Sequence, residues 1–174
     1  MLDITKMLHE VIDLEYDIDD ANELLIGPQT RRQTIFLMLD ITLADFADSV
    51  GWYKKVTQPT PDQQRVTHNY VKSLALILLF AAKQQWTHLV VLNDEQWQRV
   101  TGVEATAKLA DLNKEYLAIK HFLSEAYFNH RQEDFRHAWH LLLKMGIVDM
   151  HRTPEEIMAV YQQFIAGEKE RLAH

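Results

Sequence analysis

Nine consecutive apolar residues, Leu74 to Ala82, lie in a stretch that runs from the break around Pro59 and Pro61 to about Gln85 without a glycine or a proline. A helix over this stretch has no solvent face, so it must be buried all round. In a chain of 174 residues that places it at the centre of a helical bundle or in a subunit interface. The run is also far short of the roughly 20 apolar residues that a membrane span needs.

The rest of the pattern agrees with helices. The chain has only five glycines and four prolines, few for a loop-rich or all-β protein. Met7, Leu8, Val11, Ile12, Leu14 and Ile18 recur at helical spacing and predict a first helix from about Asp3 to Leu25. Gly27-Pro28 breaks it. A second helix is predicted from about Thr30 to Val56, and a linker follows at Gln58-Pro59-Thr60-Pro61. Pro61 suits the first turn of the third helix, although Asp62 is the residue type that caps one. Trp86 to Lys108 stays open, because Leu89-Val-Val-Leu92 fits a short strand or a helical segment equally. The helical pattern returns from about Leu109 to Asn129 and again from Gln132 to Met145, where Gly146 reads as the residue that stops the helix. Thr153-Pro154-Glu155-Glu156 has the form of a capping box with proline in the first turn. The expectation is an all-α bundle of five or six helices, with more than half of its residues helical, forming one domain over residues 1–174.

Several function classes drop out. There is no cysteine, hence no disulfide framework, no thiolate zinc site and no thiol nucleophile. The first residues lack the basic and apolar regions of a signal peptide, and the expected location is cytoplasmic, with no membrane partner. A formal charge of −7 argues against general nucleic-acid binding, which needs a basic surface. It does not argue against a nucleotide. A glycine-rich phosphate loop, a nucleophile elbow and an H-E-x-x-H motif are all missing from the sequence.

Three segments carry a resemblance. They are Glu115-Tyr-Leu-Ala-Ile-Lys-His-Phe-Leu-Ser-Glu-Ala-Tyr127, Trp139-His-Leu-Leu-Leu-Lys-Met-Gly146 and Thr153-Pro-Glu-Glu-Ile-Met-Ala-Val-Tyr161. Together they look like the dimeric dUTPases, which belong with the all-α NTP pyrophosphatases, and the likeness covers most of the chain in order. The resemblance implies an all-α NTP pyrophosphatase-like bundle and an intertwined homodimer. It also implies two acidic pairs, E-x-x-E and E-x-x-D, on facing helices. Spacing of i, i+3 puts both carboxylates of a pair on one helix face, where they hold the Mg²⁺ ions that activate water and neutralise the leaving pyrophosphate.

This sequence departs from that pattern at most of its functional positions. Tyr53-Lys54 stands where the family has Phe-Lys, which puts Thr42 and Asp45 at the first pair. The second pair falls in His68-Asn69-Tyr70-Val71-Lys72, at Asn69 and Lys72. One carboxylate of four remains, Asp45, and Lys72 puts a charge of the metal's own sign at a ligand position. Other nucleotide-binding candidates carried over by the resemblance are Lys54, His9 at a uracil-reading glutamine position, Asp13, and Arg171 in the last helix. The implied function is that of a degenerate, catalytically inactive homologue, acting as a binding or interaction protein with residual nucleotide affinity and no assigned cofactor. The alternative is an active Mg²⁺-dependent dUTP or NTP pyrophosphatase with a remodelled acidic site. A buried Lys72 needs an anionic partner, and Asp45 across the helix gap is the expected one.

Plainer readings stand beside these. Asp40, Asp45 and Asp48 also fit a solvated helix edge, and Asp45 with Asp48 would make another i, i+3 pair. His137 and His140 share one side of a helix, but a zinc site needs three or four converging ligands. Trp52, Trp86, Trp97 and Trp139 read as core or interface residues.

Overall fold

In the computed structural model residues 1–54 and 60–174 are described. Among them are seven α-helices: α1 (Ile4–Asn22), α2 (Pro28–Val50), α3 (Gln63–Lys83), α4 (Asp94–Thr101), α5 (Leu109–Asn129), α6 (Gln132–Lys144) and α7 (Pro154–Leu172). A 3₁₀ turn at Thr87–Leu89 precedes α4, and a π-helical turn at Met145–Asp149 extends α6. The described residues contain no strand. More than half of the chain is helical, as expected, with one helix more than the five or six anticipated.

Local chemistry fixes the boundaries. The Asp3 carboxylate caps α1 by accepting from the Lys6 amide at 3.0 Å. The helix stops at Asn22 instead of Leu25 because Glu23 turns left-handed (φ 50°) and sends its N–H back to the carbonyls of Asp19 and Asp20. Pro28, not Thr30, opens α2, and Gly51 (φ 71°) closes it at Val50. The predicted extension toward Val56 therefore fails at a left-handed residue that glycine adopts readily. Lys55, Val56 and the Gln58-Pro59 part of the predicted linker lie outside the described residues. Pro61 is not in the first turn of α3. Asp62 is the cap, accepting from the amides of Gln64 and Arg65 at 3.0 and 3.3 Å. At α7 Thr153 accepts from the Glu156 amide at 3.1 Å, whereas the Glu156 carboxylate turns to Arg152 and Thr67. Half of the expected box is formed.

The segment left open between Trp86 and Lys108 resolves into turn and helix. Leu89 ends the 3₁₀ turn, and Val90 and Leu92 are buried beside it. The indole of Trp139 donates to the Val90 carbonyl at 3.0 Å and pins the turn to α6. Asn93 and Gln96 then form a reciprocal capping box that starts α4.

The apolar run of α3 is the axis of the bundle. Leu74, Ala75, Ile77, Leu78, Leu79, Phe80 and Ala81 are all buried, with α1, α2 and α7 packed around the helix. Phe80 reaches Trp86 and Phe135 (ring centroids 6.2 and 5.9 Å) and joins this layer to α6. Of the two placements that the run allowed, the centre of the chain's own bundle is the one found. One hydrophobic cluster runs from Leu2 through Ile165.

Gly146 does not stop α6. The helix passes through it into the π turn, and the glycine is buried against Tyr70 of α3. Its value is close approach: a Cβ there would overlap Cζ, Cε2 and the hydroxyl of Tyr70.

Candidate functional site

The α2–α3 seam carries the four positions that the resemblance marks as acidic. Thr42 is buried, and its hydroxyl donates to the Met38 carbonyl one turn back at 2.8 Å. Asp45 is exposed on the same helix. Asn69 reaches across from α3 and donates its amide to the Asp45 backbone carbonyl at 3.2 Å. Lys72 follows one turn on, partly buried. The seam is thus closed by a direct hydrogen bond, with one outward-facing carboxylate and one cation. These residues do not make a Mg²⁺ site. Nor do three or more His, Cys, Asp or Glu side chains converge as metal ligands elsewhere among the described residues.

The expected Lys72–Asp45 pair is not formed. Among the described residues no carboxylate lies within 4.0 Å of the Lys72 ammonium, and Asp45 has no cationic partner either. Lys72 instead lines a cavity of about 370 Å³ bounded by α1, α2, α3 and α7. Its position one turn beyond Asn69 puts it on the α1 and α7 side of α3, past the reach of Asp45. The second register, Asp45 with Asp48, is broken too. Asp48 is taken by Lys54 (2.9 Å), the Tyr53 hydroxyl (3.0 Å) and Arg65 (3.5 Å). The Lys54 and Tyr53 contacts hold its carboxyl below the usual range. Lys54, a nucleotide-binding candidate, is held by this ion pair at the end of α2.

The remaining candidates divide. Arg171 lines the same cavity as Lys72, from α7, and pairs with Glu168 at 2.6 Å. His9 and Asp13 are exposed on α1 and do not line the cavity. Of the candidate residues, Lys72 and Arg171 line one cavity, while Thr42, Asp45 and Asn69 stay in the seam beside it.

The cavity walls are mainly apolar, with Leu14, Ile18, Ile35, Leu79 and Phe164 among them. At one end sits an ionic cluster that sequence reasoning missed. Arg31 of α2 meets Asp19 at 2.7 Å and Glu15 at 3.0 Å, and Lys83 of α3 also pairs with Glu15. The Asp19 contact, against the opposing effect of burial, raises the Arg31 pKa. Glu15 is buried and faces two cations, the partners that a buried charge calls for. Its only sequence signal was an acid on the apolar face of α1, one residue after Leu14. Lys72 differs from its charged neighbours in lacking a carboxylate partner among the described residues. Its field, after desolvation, helps push the neighbouring His68 imidazole below its ordinary range.

His137 and His140 lie on α6 and belong to a different cavity. Trp86, Trp97 and Trp139 are core residues. Trp52 is half-buried and donates to the Asn113 side chain at 3.0 Å, which ties the end of α2 to α5. Comparison with known protein families, with curated proteins and with solved structures gives no match.

Proposed function

We propose that this chain is a degenerate homologue of the dimeric dUTP diphosphatases that binds without catalysing, with residual affinity for a nucleotide or another phosphate-bearing ligand. The observation that carries the reading is Lys72, a cation without a carboxylate partner among the described residues, lining an apolar cavity with Arg171 beside it. An ammonium in that setting attracts an anion directly, the task that metal ions perform where carboxylates line a site. The make-up of the seam, Thr42, Asp45, Asn69 and Lys72, argues against metal-dependent hydrolysis in the same terms. Phosphoryl chemistry at neutral pH relies on bound metal to polarise the phosphate, and a single exposed carboxylate cannot position it.

The homodimer belongs to the same proposal. Its former support, the all-apolar α3, is satisfied within one chain. What supports it now are large apolar side chains left exposed on two helices, Leu37, Met38 and Ile41 on α2 and Leu117 and Phe128 on α5. A second copy that covers them would remove apolar surface from water.

The test is calorimetry with a non-hydrolysable dUTP analogue, with and without Mg²⁺, beside an assay of pyrophosphate release. Binding is expected to be independent of Mg²⁺ and to weaken at least about tenfold in Lys72→Met, the loss of one charge-assisted contact. The wild type is expected to release pyrophosphate no faster than buffer. Clear Mg²⁺-dependent release would overturn the non-catalytic reading, and an affinity unchanged by Lys72→Met would remove Lys72 from the site.

A further inference from the structure

A second cavity, of about 730 Å³, lies between α4, α5 and α6, away from the seam. Its floor is a buried ionic triad. Lys144 of α6 donates to Glu115 Oε2 at 2.9 Å, to Asp149 Oδ2 at 2.9 Å and to the Thr106 hydroxyl. These contacts use all three ammonium protons. Asp149 is also satisfied, since its other oxygen accepts from the Thr106 amide at 2.7 Å. Glu115 is not. Its side chain is 8% exposed, yet Oε1 is buried and no donor reaches it among the described residues. His140, one turn before Lys144, is in the same condition at Nε2. Both residues line the cavity. Two other buried carboxylate oxygens without a hydrogen bond, on Glu15 and Asp134, differ because each faces a cation, Lys83 and Arg131.

Charge decides what could satisfy both atoms. The triad has two carboxylates and one ammonium, an excess of one negative charge. Around the cavity Arg99 and Arg136 are paired with Glu95 and Glu133 of their own helices, and Glu104 adds a further negative charge. His137 stands at the rim against Phe122 (ring centroids 5.4 Å). Burial, opposed by the Lys144 contact and reinforced by the facing Asp149 carboxylate, pushes the Glu115 carboxyl up to about 6. Burial also pushes His140 below its ordinary range. At neutral pH a carboxylate oxygen and a neutral imidazole nitrogen therefore lie just beneath the cavity floor, while Val100, Val103, Phe122 and Leu141 supply apolar walls. Glu115 and Phe122 are seven residues apart on α5, about 10 Å along the helix, enough for a polar head and one ring.

We propose that this cavity binds an organic cation of the amine or amidine class carried on a flat apolar body. Glu115 Oε1 accepts from its N–H groups, His140 Nε2 takes a second N–H, and Phe122 lies against the ring. Binding supplies the positive charge that the triad lacks.

Benzamidine is the probe, with benzoate and benzyl alcohol as anionic and neutral controls on the same ring. Titration calorimetry at pH 7.5 is expected to give saturable benzamidine binding with Kd at or below about 1 mM, and both controls at least about tenfold weaker. Carbon-detected NMR of the Glu115 carboxyl is expected to show its titration midpoint falling by about one pH unit or more in saturating benzamidine. Affinity should drop by a matching factor, about tenfold for a shift of one pH unit, as pH falls from the free to the bound midpoint. Glu115→Gln should abolish binding. Should that variant fail to fold, Val103→Trp at the exposed rim fills the cavity without touching the triad, and it should abolish binding with the free Glu115 titration unchanged. Equal binding of benzamidine and benzoate, no saturable benzamidine binding, or binding that survives Val103→Trp would each overturn the proposal.

Discussion

Replacing Gly146 by alanine tests the close approach of α3 and α6 more sharply than any change of charge. The added methyl would fall well inside the about 3.5–4.0 Å of ordinary carbon contact, against Cζ, Cε2 and the hydroxyl of Tyr70. Tyr70 cannot step aside cheaply. It is fully buried, its ring lies 5.3 Å from that of Phe46, and its hydroxyl donates to the Leu142 carbonyl at 3.1 Å. Overpacking of this kind costs about 1–3 kcal/mol. Displacing the ring strands a buried hydroxyl at about 1–3 kcal/mol more. Alanine recovers about 1 kcal/mol of helix propensity over glycine. The net loss is about 3 kcal/mol, read as a lower denaturation midpoint in urea with an unchanged m-value. The control is the same change in a Tyr70→Leu background. With the ring gone, the propensity gain remains and Gly146→Ala should become neutral or stabilising by up to about 1 kcal/mol. If alanine stabilises the wild-type chain, or destabilises both backgrounds equally, the account of Gly146 as a contact residue is wrong.

Other perturbations reach different parts of the molecule. Asp62→Ala removes the acceptor for two amides at the start of α3 and should cost about 1 kcal/mol, with Asp62→Asn close to neutral in the same denaturation assay. Arg31→Met leaves Asp19 unpaired and Glu15 with Lys83 alone. A loss of about 2 kcal/mol is expected, largely recovered when Glu15→Gln is added, and a cycle with no coupling would contradict the pairing. Glu115 sets a pH dependence. Burial raises its folded pKa from 4.5 to about 6, so the folded state holds the extra proton between those values and stability falls as pH rises through the window. The fall is about 1–2 kcal/mol, and Glu115→Gln should remove it. His140, neutral when folded, contributes in the opposite sense: its share is present above pH 6.5 and is lost as pH drops through its depressed folded pKa. A wild type and Glu115→Gln with parallel profiles from pH 4 to 7 would contradict the assignment.

Features that depend on neighbours in sequence were legible. The limits of α5, the Asp62 cap, the Thr153 cap and the burial of all but Leu76 and Ala82 in the Leu74–Ala82 run follow from local residue type and period. The capping box that starts α4 was legible too, in Asn93 and Gln96, but the ambiguous Leu89-Val-Val-Leu92 run ahead of it hid the signal. Contacts between distant segments were not. Gly146 has the same local appearance whether it ends a helix or admits a tyrosine from α3. Lys72 looked as if it faced Asp45 because the two positions were expected on facing helices. The registry of those helices sends Lys72 toward α1 and α7 instead. The Arg31 cluster and the Glu115–Lys144–Asp149 triad each join residues from separate elements, and no spacing rule announces them.

The seam joins α2 to α3 through a neutral hydrogen bond. Carboxylates at positions 42, 45 and 69 would repel one another across α2 and α3, with a fourth at position 72 one turn on toward the cavity, and a cation bound between the helices would offset that repulsion. Here Thr42 satisfies its hydroxyl within its own helix, and the Asn69 amide bridges directly to the Asp45 carbonyl. Changing the four residues together (Thr42→Glu, Asp45→Glu, Asn69→Glu and Lys72→Asp) therefore removes a neutral bridge and adds repulsion. That variant should be less stable than the wild type without metal and should regain stability with Mg²⁺, by about 1.4 kcal/mol at ten times its dissociation constant. Wild-type stability should not respond. A wild-type denaturation midpoint that rises with millimolar Mg²⁺ but not with matched ionic strength would mean that acids outside the seam hold the ion, and the reasoning from these four positions would fail.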